Sequence, residues 1–214
     1  IRTYNAFSSK GLSRFSADKY EVGSELSDPQ GFILRSQKLH EEQVPESLLA
    51  VARAGAGVNN VPVADYTDQG IVVFNTPGAN ANAVKELIVA ALLMGSRDIY
   101  GGMNYVQGLT EITDSGEMGQ LLEKEKKRFA GGEVQGKTLG VIGLGAIGSM
   151  IANLALELGM DVVGYDPAIS VEAAWQLSSN VERMDSIESL LARSDFITLH
   201  VSAIPATKHR INSK

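Results

Sequence analysis

The sequence predicts an α/β protein built of two successive parallel-sheet units, and three observations carry that prediction. Short runs of apolar and β-branched residues alternate with helix-like segments along the chain, the arrangement that builds a parallel sheet covered by helices on both faces. Residues 138–148, TLGVIGLGAIG, run from an apolar strand-like stretch into Gly143, Gly145 and Gly148. Residues 161–166, DVVGYD, form another such strand and end on Asp166, at the spacing of roughly 20 residues that a dinucleotide-binding G-x-G-x-x-G motif requires.

In the first unit, residues 1–7 (IRTYNAF), 31–35 (GFILR), 49–53 (LAVAR) and 71–75 (IVVFN) read as strands, being short, apolar or β-branched, and bounded by Gly, Ser, Asp or Pro. HEEQVPESLL at 40–49 and VADYTDQG at 63–70 read as helical turns or short helices between them. Ligands bind beyond the carboxyl ends of parallel strands. Arg35-Ser36, Arg53-Ala54-Gly55 and Asn75-Thr76-Pro77 are therefore expected to point into one cleft as the substrate face.

From Asn82 the apolar period changes. Val84, Leu87, Ile88, Ala91 and Leu92 recur at helical spacing and predict a helix with one apolar stripe, which either packs within its own subunit or forms a subunit interface. Residues 111–128 are polar and highly charged, and Lys124, Lys126, Lys127 and Arg128 read as a solvated helix face, with Glu123 and Glu125 interleaved. Beyond Asp166-Pro167, helices are expected near Val171–Gln176 and over 184–193. Residues 195–200 (DFITLH) would be the third strand of the second sheet, with His200, Val201 and Ser202 at its end.

Each part of the glycine motif has a chemical reason. Gly143 permits the tight turn, Gly145 lets backbone approach a pyrophosphate, and Gly148 lets the following helix pack on the strand. The pyrophosphate would rest on the amides and positive dipole end of that helix. Asp166 would accept hydrogen bonds from the adenosine ribose and repel a 2′-phosphate, which selects NAD over NADP.

Composition bounds the rest. The 214 residues are 44% hydrophobic and 21% charged, ordinary for a globular protein. A net charge of −6 argues against nucleic-acid partners, which require a basic face. With no cysteine in the chain, disulfides, thiolate metal sites and Cys nucleophiles are excluded. No metal is expected. No apolar run approaches the length of a membrane span and residues 1–7 do not read as a charged-then-apolar leader, so the expectation is a cytoplasmic protein with no membrane partner.

Segments 52–63 (ARAGAGVNNVPV), 70–87, 129–148, 159–167 (GMDVVGYDP) and 194–202 (SDFITLHVS) together resemble the NAD-dependent D-specific 2-hydroxyacid dehydrogenases, especially members acting on 3-phosphoglycerate. The resemblance implies a flavodoxin-like substrate domain over 1–90, followed by a Rossmann NAD-binding domain over 91–214 that is incomplete and includes linking helices. It also implies a homodimer made through those helices. Matched by position, the cofactor would be lined by Ala146, Ile147, Asp166, Pro167, His200, Val201, Ser202 and Pro205, with Thr76 reaching it from the cleft. The substrate anion would be held by Arg53, Ala54, Gly55 and Ala56, and by Arg35 and Ser36. Arg53 suits this role because a guanidinium is a planar fork, and a small glycine-containing loop can add backbone amides.

The family reaction moves a hydride from a 2-hydroxy acid to the nicotinamide while a base takes the hydroxyl proton. The resemblance places the histidine, glutamate and arginine that do this beyond Lys214. No catalytic residue is therefore expected among these residues, and the chain is expected to be C-terminally truncated and inactive alone. His40 lies in a polar segment, His209 at a solvent-facing helix start in the family pattern, and His200 reads as cofactor-lining or structural. The implied activity is oxidation of D-3-phosphoglycerate to 3-phosphohydroxypyruvate in serine biosynthesis. Reduction of glyoxylate or hydroxypyruvate, oxidation of D-lactate, or an NAD-sensing corepressor-like binding module are the alternatives.

Overall fold

The computed structural model describes residues 1–203, 207–209 and 211–212. They divide into two compact units, Ile1–Asn80 with the described residues from Ser202 on, and Ala81–Val201. The division falls ten residues before the expected position at 90, because the helix beginning at Ala81 runs unbroken to Ser96 and packs in the second unit.

In the first unit, β1 (Arg2–Thr3), β2 (Gly31–Leu34), β3 (Ala50–Arg53) and β4 (Val72–Asn75) form a parallel sheet in the order β1-β2-β3-β4. A short helix, α1, spans Ser9–Leu12. Gly23 makes a parallel bridge to Arg2, and because neighbouring backbone groups of β1 serve β2 and Gly23 alternately, Gly23 lies on the outer edge. The second extended segment thus lies outside the first and the later strands on its other side, which is the flavodoxin-like order with its reversal between β1 and β2.

The register sets Phe32, Val51 and Val73 abreast on one face. Phe32, Leu34 and Val51 pack there with Leu39, Leu48, Val61, Tyr66 and Ile71, Tyr66 being carried by α2 (Val63–Asp68). The opposite face is open at β4, where Val72 is 52% and Phe74 58% exposed. Two expectations are corrected here. The described residues do not cover both faces of this sheet, and residues 40–49 form separate turns (Glu42 N to Leu39 O, Leu48 N to Pro45 O) in place of a helix. Pro45 lacks an amide hydrogen and drives Val44 toward extended backbone, which interrupts a helical ladder.

The second unit opens with α3 (Ala81–Ser96), α4 (Ile99–Gln107), α5 (Ser115–Glu125) and a 3₁₀ turn at Lys126–Phe129. The alternation β5 (Thr138–Ile142), α6 (Ala146–Glu157), β6 (Asp161–Tyr165), α7 (Val171–Gln176), β7 (Glu182–Arg183), α8 (Ile187–Arg193) and β8 (Phe196–Leu199) follows. The sheet is parallel in the order β7-β6-β5-β8, a Rossmann arrangement whose order reverses between β5 and β8. The strand at 195–200 is therefore the fourth in this sheet. The sequence conceals β7 because it is two exposed, charged residues with no apolar pattern.

Leu139, Val141 and Val162 form a core with Ile151, Ala152 and Ala155 of α6. Along α3 the expected single stripe splits. Val84, Ile88 and Leu92 are half-buried, and Ile88 and Leu92 pack on that core, whereas Leu87 and Ala91 face outward. Lys124, Lys126, Lys127 and Arg128 are exposed, with Lys126 paired to Glu123 and Arg128 to Glu125. Among the described residues no helix is long and apolar enough to cross a membrane.

Candidate dinucleotide site and anion loop

The glycine turn of the second unit is dictated by close approach. Gly143 adopts φ +90 and its amide donates to the Tyr165 carbonyl at 2.9 Å. A Cβ there would lie 2.7 Å from the His200 carbonyl oxygen, so no larger residue lets β5 and β8 end together. A Cβ on Gly148 would overlap the Gly143 carbonyl oxygen, and its absence lets α6 sit against the turn. A Cβ on Gly145 would meet nothing within 4 Å, which leaves open space in front of the helix end. No side chain caps α6, so the first-turn amides, those of Ala146 and Ile147 among them, are presented to that space. This is a cradle fit for a pyrophosphate.

Asp166 directly follows β6, beside the turn. Its Oδ2 accepts from the Leu144 amide at 2.8 Å and its Oδ1 from the Ala168 amide at 2.9 Å. Each carboxylate oxygen keeps a further lone pair for a ribose hydroxyl. The bond from Leu144 ties the glycine turn to the end of β6. Pro167 follows, exposed.

His200 is held by its amide on the Ile142 carbonyl at 2.8 Å, and its Nε2 lies 2.7 Å from Thr198 Oγ1. Burial pushes the ring's pKa below its usual value, which favours the neutral imidazole. Val201 and Ser202 are exposed; Ser202 groups with the first unit, and Pro205 lies outside the described residues.

In the first unit the loop after β3 is built around Arg53. Its guanidinium lies directly over Gly55, where a Cβ would collide with it, and Gly55 has φ +149. Arg53 Nε is buried without a hydrogen-bond partner, and among the described residues Arg53 forms no ion pair. A buried donor left unsatisfied is costly, so this geometry suits an anion that would accept from it. The end of β4 braces the loop. Thr76 Oγ1 accepts from the Gly55 amide at 2.7 Å, the Thr76 amide donates to Gly55 O at 3.0 Å, and Asn75 Nδ2 donates to Ala56 O at 2.7 Å. The Ala54 amide donates to Leu34 O at 2.8 Å. Thr76, expected to reach the cofactor, thus has its hydroxyl engaged in shaping the arginine loop.

Arg35 and Ser36, both exposed, follow β2. Their shape depends on Asn5 and Asn60, which the sequence reading passed over, as it did the bracing role of Asn75. The available signal was an asparagine just beyond a strand end, where its side chain substitutes for backbone partners. His40 and His209 are exposed as expected, and the described residues contain no metal-binding cluster of His, Cys, Asp or Glu.

A parallel sheet whose order reverses over a glycine turn, with an acid at the next strand end, defines a dinucleotide-binding protein. Residues 100–214 match the model of the D-isomer specific 2-hydroxyacid dehydrogenase NAD binding domain, and the chain belongs to that family, whose cofactor is NAD. It is 39% identical over 196 residues to the D-3-phosphoglycerate dehydrogenase of Methanocaldococcus jannaschii, covering 90% of this chain and 34% of the relative. It is also 39% identical over 167 residues to the hydroxypyruvate reductase of Thermotoga maritima, covering 78% and 48%. Among solved structures, the NAD+-bound 3-phosphoglycerate dehydrogenase of Entamoeba histolytica superposes with a TM-score of 0.65 at 28% identity, over 89% of this chain and 56% of that one. The chain spans about a third of the length of the phosphoglycerate dehydrogenase relative.

Two outcomes follow from this geometry. Gly148→Ala forces α6 away from the turn and is expected to cost about 1–3 kcal/mol of stability and to weaken NAD binding, read by thermal denaturation and calorimetric titration. Because the folded pKa of His200 is depressed, its contribution to stability is complete above the unfolded value of about 6.5 and is lost as pH falls through the lower folded value. His200→Gln should therefore flatten the fall of the melting temperature between about pH 7 and pH 5.

Proposed function

We propose that the protein oxidises D-3-phosphoglycerate to 3-phosphohydroxypyruvate with NAD, a step of serine biosynthesis in the cytoplasm. The observation that carries this reading is the Arg53 loop, whose guanidinium is unpaired, has a buried free donor and is backed by a glycine backbone that leaves it room. Arg35 supplies a second cation in the same unit, and a substrate bearing both a carboxylate and a phosphate needs more than one. The name of the Methanocaldococcus jannaschii relative supports the same substrate.

Bound NAD supplies a nicotinamide carbon that accepts the substrate's hydride. The chain's own residues bind and orient. The α6 amides and Gly145 would hold the pyrophosphate, Asp166 the ribose, and His200 and Val201 would line the space beside the turn. Arg53, with Ala54, Gly55 and Ala56, would fix one anionic end of the substrate, and Arg35 and Ser36 the other. The proton acceptor and its partners are assigned to no residue of these 214.

The alternative within the family is a reductase of hydroxypyruvate or glyoxylate, or a D-lactate dehydrogenase. The lack of a cation immediately after Arg53 and the name of the Thermotoga maritima relative favour it. An NAD-sensing binding module would bind NAD without turnover.

The protein also acts as a homodimer in this reading. The supporting observation is the row of large apolar side chains left outward on α3 and α4, with Leu87 68%, Tyr100 65% and Met103 56% exposed.

Turnover of the whole protein with NAD should raise NADH absorbance for D-3-phosphoglycerate more than for unphosphorylated 2-hydroxy acids. A preference for the latter moves the assignment to the alternative, and no turnover on either supports the binding module. Arg53→Gln should weaken substrate binding by about 10- to 100-fold, the worth of a charged hydrogen bond. Sedimentation equilibrium should give a dimer, and Leu87→Glu with Met103→Glu a monomer; a monomeric unmodified protein overturns the assembly.

A further inference from the structure

The first unit's strand order reverses between β1 and β2, and such a reversal is where a doubly wound sheet opens a crevice at its carboxyl end. The loop of residues 35–37 leaves β2 there. Its three successive amides converge on one atom. Arg35, Ser36 and Gln37 donate to Asn5 Oδ1 at 3.2, 3.0 and 3.2 Å. Converging backbone amides make a concavity suited to an oxygen acceptor, and here the neutral side-chain carbonyl of Asn5 fills it. Asn5 reaches that position by adopting φ 71, a left-handed conformation that asparagine tolerates better than most residues.

Asn60 grips the loop from its other side. It is 7% exposed, and its Nδ2 donates to the carbonyls of Gln37 at 2.7 Å and Arg35 at 3.3 Å. Its own backbone carbonyl accepts from the Leu39 amide at 2.9 Å, which anchors it where the loop rejoins the core. Two side-chain amides thus do for this loop what a ladder does for a strand: one accepts its N–H groups and the other donates to its carbonyls. The Arg35 side chain takes part in none of this, is exposed, and forms no ion pair among the described residues.

We propose that Asn5 is a positioning residue which, working against Asn60, fixes the 35–37 loop so that Arg35 is presented to the anionic substrate; this rests on the substrate reading above. Asn5 does not itself contact the substrate. Its effect passes through the loop's shape, and an anchor's displacement by about 1 Å is enough to degrade recognition by an order of magnitude or more.

The test compares Asn5→Gly, which keeps the positive φ without strain but removes the acceptor, with Asn5→Asp, which keeps both φ and acceptor. On the whole protein, amide hydrogen exchange at Arg35, Ser36 and Gln37 is followed by NMR, and binding of D-3-phosphoglycerate and of NAD by calorimetry. Asn5→Gly should speed exchange at these three amides by about tenfold or more and weaken D-3-phosphoglycerate binding by about tenfold, with NAD affinity unchanged. Asn5→Asp should keep the amides protected. Unchanged exchange in Asn5→Gly overturns the clamp, and faster exchange with unchanged substrate affinity overturns its role in orienting Arg35. If the unmodified whole protein binds no D-3-phosphoglycerate, the substrate reading fails and the orienting role falls with it, while exchange still decides whether Asn5 holds the loop.

Discussion

The second unit hangs on one close approach, the seating of α6 against the carbonyl of Gly143 through the missing side chain of Gly148. That contact sets where the helix begins, and hence where its free amides face. Gly143 meets three other demands at the same place. Its φ is positive, its amide serves the end of β6, and the space where a Cβ would sit is occupied by the end of β8. Strand, helix and neighbouring strand ends therefore converge within van der Waals distance, and the open volume in front of Gly145 is what that convergence leaves over. Asp166 closes the arrangement by accepting the Leu144 amide, so the acid poised for a ribose also holds the turn in shape.

The two units hold the loops at their strand ends by different means. In the second unit the turn is shaped by backbone and by the absence of side chains. In the first, side chains replace the ladder: Asn5 and Asn60 on the loop after β2, Thr76 and Asn75 on the loop after β3. Such loops carry buried polar groups outside regular structure, each of which requires a partner. Arg53 Nε and Asn60 Oδ1 have none, and of the two it is the arginine that carries a charge.

How much of this was legible depended on the range of the forces involved. The glycine motif, Asp166 and the Val171–Gln176 helix are local signals, since positive φ, a strand end and a capping Ser170 leave their mark within a few residues. The charged two-residue β7 left no such mark, because its place is imposed by pairing with β6. Nor did the turns at 40–49, where a polar run looks helical until Pro45 is given its full weight. The α3 stripe was visible, but which of its residues pack inward depends on where α6 lies, and this separates Ile88 and Leu92 from Leu87.

By itself the sequence determined the class of fold and the glycine turn between β5 and α6, because each rests on steric or periodic rules acting between near neighbours. Only the tertiary structure decided that Asn5, 30 residues before Arg35, accepts its amide, that Thr76 braces Gly55, and that Gly143 must clear the end of β8. These are contacts between segments brought together by strand order, and strand order is settled by the packing of the whole sheet, which no local run of residues encodes.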